Sequence, residues 1–231
     1  MTKSEHKHTL GYCLPMILAA ALVNMLCMAI SHAGEFALPK QVLAKVEQEY
    51  GNYARRRVAY WNELITDNQH IDELEKLRVV NDFFNQVAFV SDINHWGKED
   101  YWATPMQMLA SNGGDCEDFT IAKYFTLREM GVPAKRMRLT YVKALELNQA
   151  HMVLTYFSEP ESDPLVLDNL AVEIRLASER ADLLPVYSFN GNSLWLAKSR
   201  GNDQRIGHSD RLSRWKEVLA RISDEQIPLS R

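Results

Sequence analysis

"GGDCEDFTIAKYFTLREMGVP", residues 113–133, sets two glycines and an aspartate before a cysteine, follows it with a Glu-Asp pair, and continues as a helix that stops at Gly131 and Pro133. The spacing predicts an amphipathic helix over Phe119–Met130, with the thiol at its N-terminus. There, free backbone N–H groups and the positive end of the helix dipole favour thiolate. Asp115, Glu117 and Asp118 oppose this, because negative neighbours raise a thiol's pKa.

Three β-type runs follow the helix, at 136–145, 151–157 and 165–170, joined by polar, turn-like connections. Two more, "PVYSF" and "SLWLA", flank the hairpin signal Asn190-Gly191, and 210–222 reads as a closing helix. Upstream, apolar residues at three- or four-residue intervals from Leu38 to Asn68 predict one long helix or two joined near Gly51, with a second helical stretch at 71–87. The stretch 91–105 reads as a long ordered loop, and Thr104-Pro105 as the cap and first residue of a short helix ending at Asn112-Gly113. Helices, then the cysteine helix, then an antiparallel meander define an α+β domain.

At 231 residues, 46% hydrophobic and 24% charged, the chain has room for one well-buried domain. Residues 1–33 have a lysine-bearing start, an apolar run from Leu14 to Ile30 and the small residues Ser31 and Ala33, which is the pattern of a secretory signal peptide cut after Ala33; an uncleaved anchor is the alternative. Residues 34–231 then form a single domain outside the cytoplasm. Cleavage removes two lysines and one glutamate and takes the formal charge from −4 to −5. With dispersed basic residues, that balance gives no reason to expect nucleic-acid binding. Cys13 and Cys27 leave with the signal, so Cys116 cannot pair within the mature chain. A lone thiol in an oxidising compartment asks for a reason, either a reactive role or plain burial.

A cysteine nucleophile needs a base and an orienting group. His151 opens the second predicted strand and Asp168 ends the third, so neighbouring antiparallel strands can set them side by side near the helix N-terminus. Singly, each reads as well as a satisfied strand-end histidine or a turn aspartate; as an ordered set with the sole thiol, the catalytic reading leads. His95, in the aromatic and acidic loop, is the rival base, while His70 and His208 read as surface caps.

For the carboxylates, Asp115 as N-cap with Asp118 three residues on as its partner accounts for two of three. A hard cation accounts for all of them. Calcium takes six to eight oxygen ligands and would cancel the field opposing thiolate, with Asp92, Glu99 or Asp100 and loop carbonyls completing the shell. On residue types alone, capping and calcium stay open, and zinc lacks partners.

"GDCEDFTIAKY", with "DYWATP" before it and "AHMVLTY", "PLVLDNL" and "DLLPVYSFN" after it, resembles the bacterial transglutaminase-like cysteine proteinases, in particular their periplasmic adhesin-releasing members. The resemblance spans about Val80 to Trp195. It implies a papain-like, transglutaminase-type core with Cys116 as nucleophile, His151 as base and Asp168 as orienting group. It also implies a calcium ion beside the nucleophile, on Asp115, Glu117 and Asp118. The substrate it implies is a large repeat adhesin cut near its N-terminus to control biofilm attachment. The implied inhibitor is an inner-membrane cyclic-di-GMP receptor whose periplasmic domain sequesters the protease; Trp96 and Trp102, in an aromatic loop, read equally well as contacts for it or as packing under the loop. One departure is Gln107, where the family pattern has an acid after Thr-Pro. A transamidase using the same residues, and a non-catalytic calcium-binding docking module, are the competing readings.

Overall fold

The computed structural model describes residues 36–197, 203–225 and 227–228; the expected signal segment, 1–33, lies outside them. No helix among these residues is long and apolar enough to cross a membrane. Gly51, at φ 84°, breaks the first helical run into α1 (Lys40–Tyr50) and α2 (Asn52–Asp67), a backbone angle that suits glycine. Asp72 then caps α3 (Glu73–Phe84) by accepting the Glu75 N–H at 3.0 Å.

The stretch expected to be loop holds a short helix, α4 (Asp92–His95), lying between the two-residue strand β1 (Ala88–Phe89) and the next helix. Thr104 and Pro105 open α5 (Pro105–Ser111) as their order predicts. Gln107 completes the cap: its Oε1 accepts the Thr104 N–H at 3.0 Å, and Thr104 Oγ1 accepts the Gln107 N–H at 3.1 Å. Glutamine thus makes both bonds of a capping box with Thr104. Asn112, in the left-handed region at φ 59°, turns the chain into β2 (Gly113–Gly114), which pairs parallel with β1.

The cysteine helix, α6 (Cys116–Glu129), is not amphipathic as expected. Every residue from Asp118 to Leu127 is buried, because α6 packs against β3 and β4 on one side and against α3 and α5 on others. Trp61 of α2 donates from Nε1 to Thr126 Oγ1 at 2.8 Å, joining the N-terminal helical layer to α6.

The sheet contains β3 (Met137–Ala144), β4 (Gln149–Tyr156), β5 (Leu165–Leu167), β6 (Arg175–Leu176), β7 (Leu183–Phe189), β8 (Leu194–Leu196) and β9 (Gln204–Gly207). It is antiparallel throughout in the order β6-β5-β4-β3-β7-β8-β9. It is not the simple meander expected. β7 returns to the free edge of β3, so β3 and β4 become the central strands against which the N-terminus of α6 is set. The closing helix, α7 (Ser213–Asp224), starts three residues later than its pattern suggested and buries Trp215, Val218 and Ile222.

Candidate active site

Cys116 is the first residue of α6, capped by Asp115, and is the free cysteine among the described residues. The sulfur lies in a cleft of about 650 Å³ whose wall includes His151 and Met152 of β4, Tyr141 of β3, Tyr187 of β7 and Trp102. His151 and Asp168 meet as strand geometry suggested, with Nε2 2.8 Å from Asp168 Oδ1. Both side chains are buried, at 2% and 0% exposure. Asp168 also accepts the Leu170 N–H at 3.0 Å and an Arg180 Nη2 donor at 2.8 Å. Burial pushes its pKa up, but these donors, led by His151, more than offset it and hold the carboxyl at about 2. An ionised acid can only accept, so His151 carries its proton on Nε2 and leaves Nδ1 as an acceptor.

The rival base is elsewhere. His95 Nε2 is bonded to Ser111 Oγ at 2.7 Å, and its ring packs edge-on against Trp96. It fastens α4 to α5 and does not line the cleft. Trp102 is 6% exposed and stacks on Phe189, whereas Trp96 is half-buried beside Tyr101, with its Nε1 buried.

The carboxylates form two overlapping groups that share Asp115, one with Cys116 and Glu117 and one with Asp92 and Asp118. Glu117 turns to the thiol, with Cys116 Sγ donating to its Oε2 at 2.9 Å. Asp115 stays beside that pair and also converges with Asp118 and with Asp92 of α4, one oxygen from each of the three acids lying within 4.8 Å of the others. Of the three loop acids that could have joined the expected shell, Asp92 is the one brought in. Asp118 Oδ1 accepts the Ala103 N–H at 2.6 Å and its Oδ2 the Asp115 N–H at 3.3 Å. Asp92 Oδ2 accepts the Tyr101 N–H, but Asp92 Oδ1 and Asp115 Oδ1 are buried without a partner. Orphaned anionic oxygens facing one another are the donor set a hard cation takes. Without one, the cluster resists ionisation. Burial and then Asp115 raise Asp92 to about 6, burial and then Glu117 raise Asp115 to about 8, and burial and Asp115 push Asp118 well up. The thiol is driven far above its ordinary value by burial and then by Glu117.

Of the glycines before the cysteine, Gly114 makes room for this cluster and Gly113 for His95 and Val90. Both are buried, and each leaves space that a neighbouring side chain fills. A Cβ at Gly114 would lie 2.6 Å from Asp118 Oδ2 and 2.8 Å from Asp118 Cβ, and one at Gly113 would lie 2.8 Å from His95 Cε1. Gly114→Ala is therefore expected to displace Asp118 and cost about 1–3 kcal/mol of stability by overpacking. Chemical denaturation measures that cost, and the melting shift that calcium produces should shrink with it.

Residues 52–187 match the family described as bacterial transglutaminase-like cysteine proteinase, BTLCP. Among solved structures, the LapG of Legionella pneumophila in its EGTA-treated form is 42% identical, with TM-score 0.71, covering 81% of this chain and 99% of that one. The same protein in its calcium-bound form is 43% identical, with TM-score 0.69, covering 80% of this chain and 99% of that one. No curated protein matches. The mixed helix and antiparallel-sheet architecture is consistent with a transglutaminase-like core.

Proposed function

Because the chain belongs to the bacterial transglutaminase-like cysteine proteinases, we propose that it is a calcium-dependent endopeptidase working through Cys116, His151 and Asp168. The observation that carries this reading is the buried His151–Asp168 pair, 2.8 Å apart, in the wall of the same cleft as the cysteine sulfur.

In this mechanism His151 Nδ1 takes the thiol proton and the Cys116 sulfur attacks a peptide carbonyl. The imidazolium then protonates the leaving amine, and water, deprotonated by the same nitrogen, releases the acyl group. Asp168 stabilises the imidazolium and holds its orientation. Asp92, Asp115 and Asp118 would hold calcium, whose charge would offset the field that now keeps the thiol protonated. Glu117 would turn from the sulfur as the thiolate forms. The calcium-bound form of LapG supports the choice of ion.

The proposed substrate is a large repeat adhesin of the cell surface, cut near its N-terminus, and the proposed location is the periplasm, reached through residues 1–33. A periplasmic receptor domain governed by cyclic-di-GMP is the proposed inhibitor. Trp96, which is half-buried, is more accessible to it than the buried Trp102.

The test is a gel assay with the N-terminal region of the largest repeat adhesin encoded in the same genome. Calcium-loaded wild type should make one cut and Cys116→Ala none. Incorporation of a labelled amine into a glutamine-bearing protein, without cleavage, would favour the transamidase.

A further inference from the structure

Asp168 is held twice over, and only half of that support is needed to fix its backbone. Its carbonyl accepts Asn85 Nδ2 at 2.9 Å and Lys123 Nζ at 3.2 Å, the latter from the middle of α6. Lys123 Nζ also donates to Asn81 Oδ1 and Asn85 Oδ1, both at 2.8 Å, so α3, α6 and the Asp168 turn are tied together without any contact to the carboxylate. The carboxylate torsion is a separate matter, because χ2 of aspartate is a broad, soft rotation. Oδ1 is occupied by His151 and the Leu170 N–H, and Oδ2 takes its bond from Arg180 Nη2.

Arg180 sits in the turn between Ala177 and Leu183, on a different segment from either strand of the pair. Its guanidinium is itself fixed side-on, Nε to Asp182 Oδ1 at 3.0 Å and Nη2 to Asp182 Oδ2 at 2.8 Å. That geometry gives a planar fork a defined direction, which a lysine cannot reproduce. An arginine serving only the ion pair with Asp182, which is 33% exposed, could keep its remaining nitrogen in water. Instead the side chain is 7% exposed and Nη1 is buried without a partner. Its position is explained by what Nη2 reaches.

We propose that Arg180 is a positioning residue for the reaction, anchored by Asp182 and locking the Asp168 carboxylate so that Oδ1 stays on His151 Nε2. The proposal rests on the Cys116, His151 and Asp168 reading above. Without the guanidinium, Oδ2 would be a buried anionic oxygen with no donor, and the carboxyl would either rotate toward another donor or take a proton. In the first case His151 loses the acceptor that fixes its tautomer, and in the second it faces a neutral, weaker one.

The experiment uses the calcium-loaded full chain with ring-15N histidine, comparing wild type with Arg180→Met, Arg180→Lys and Asp168→Asn. It reads the tautomer of His151 by NMR, assigned with His151→Gln, and the rate at which iodoacetamide alkylates Cys116. Arg180→Met should shift His151 from the Nε2–H form to a mixture and slow alkylation about tenfold. Arg180→Lys should restore the Nε2–H form and give a rate between wild type and Asp168→Asn. A folded Arg180→Met with wild-type tautomer and rate, beside an impaired Asp168→Asn, overturns the proposal and spares the catalytic reading. An Asp168→Asn variant that matches wild type in both readouts removes the catalytic reading itself. Should Arg180→Met fail to fold, Arg180→Lys decides alone, and the wild-type rate in that variant counts against the role.

Discussion

His151→Ala is expected to slow cleavage about 10²–10⁴-fold, the range by which a positioned general acid–base accelerates proton transfer. The argument begins with the thiol. Burial and the Glu117 carboxylate 2.9 Å away hold its pKa far above the ordinary range, so without a base almost no thiolate exists at neutral pH. His151 Nδ1 is the acceptor left open, because Nε2 is committed to Asp168 at 2.8 Å. Removing the imidazole therefore takes away both the route for the thiol proton and the donor for the leaving amine. The fold should survive, since Asp168 keeps the Leu170 N–H and Arg180, although losing one donor to a buried carboxylate costs about 1–3 kcal/mol. Alkylation of Cys116 by iodoacetamide should slow in parallel with cleavage. Alkylation at the wild-type rate would remove His151 from the base role.

His151 and Asp168 were legible in the sequence because strand neighbours share a face by simple alternation, and each lies in a short run with clear β character. The end of α6 was legible for a similar local reason, Gly131 and Pro133 being chemical signals that act within a few residues, while its first turn begins at Cys116, three residues before the expected Phe119. What escaped depends on tertiary placement. The amphipathic reading of α6 failed because its charged and hydroxyl residues are not on a solvent face. Lys123 is buried among Asn81, Asn85 and the Asp168 carbonyl, and Thr126 accepts from Trp61.

The sheet order was beyond local pattern in the same way. Nothing in "PVYSF" says that its strand returns past three others to pair with β3, with Tyr141 opposite and stacked on Tyr187 at 5.1 Å. Arg180 gave no signal either, since an arginine in a polar turn reads as solvated until the carboxylate it faces is known. Among the acids, sequence proximity grouped Glu117 with Asp115 and Asp118. In the fold Asp115 keeps Glu117 and the thiol as neighbours, and it also gathers Asp118 with Asp92, an acid 23 residues before it that sequence proximity does not point to.

That regrouping gives the second large effect a definite sign. In the metal-free protein Asp92 and Asp115 are raised to about 6 and about 8 by burial and by their acidic neighbours, against about 3.9 in an unfolded chain. The folded state thus binds more protons than the unfolded state between those values, and stability must fall as pH rises from about 4 to about 8. A single pK unit is worth about 1.4 kcal/mol, so a loss of at least that size is expected across the window in chelator. Calcium reverses the trend, because it takes the ionised carboxylates and its affinity grows as their protons leave. At a hundredfold excess over Kd it should add about 2.7 kcal/mol and restore a cleavage activity that chelator abolishes. Asp92→Asn with Asp118→Asn should remove the Asp92 and Asp118 part of the pH dependence, leave the part that burial and Glu117 impose on Asp115, erase the calcium-induced melting shift and leave no cleavage. Melting curves in chelator and in calcium at several pH values decide the matter. A metal-free stability that does not change over this window, or an undiminished calcium shift in the double variant, would return Asp118 to simple helix capping and leave the role of Asp92 to the Tyr101 N–H it already holds.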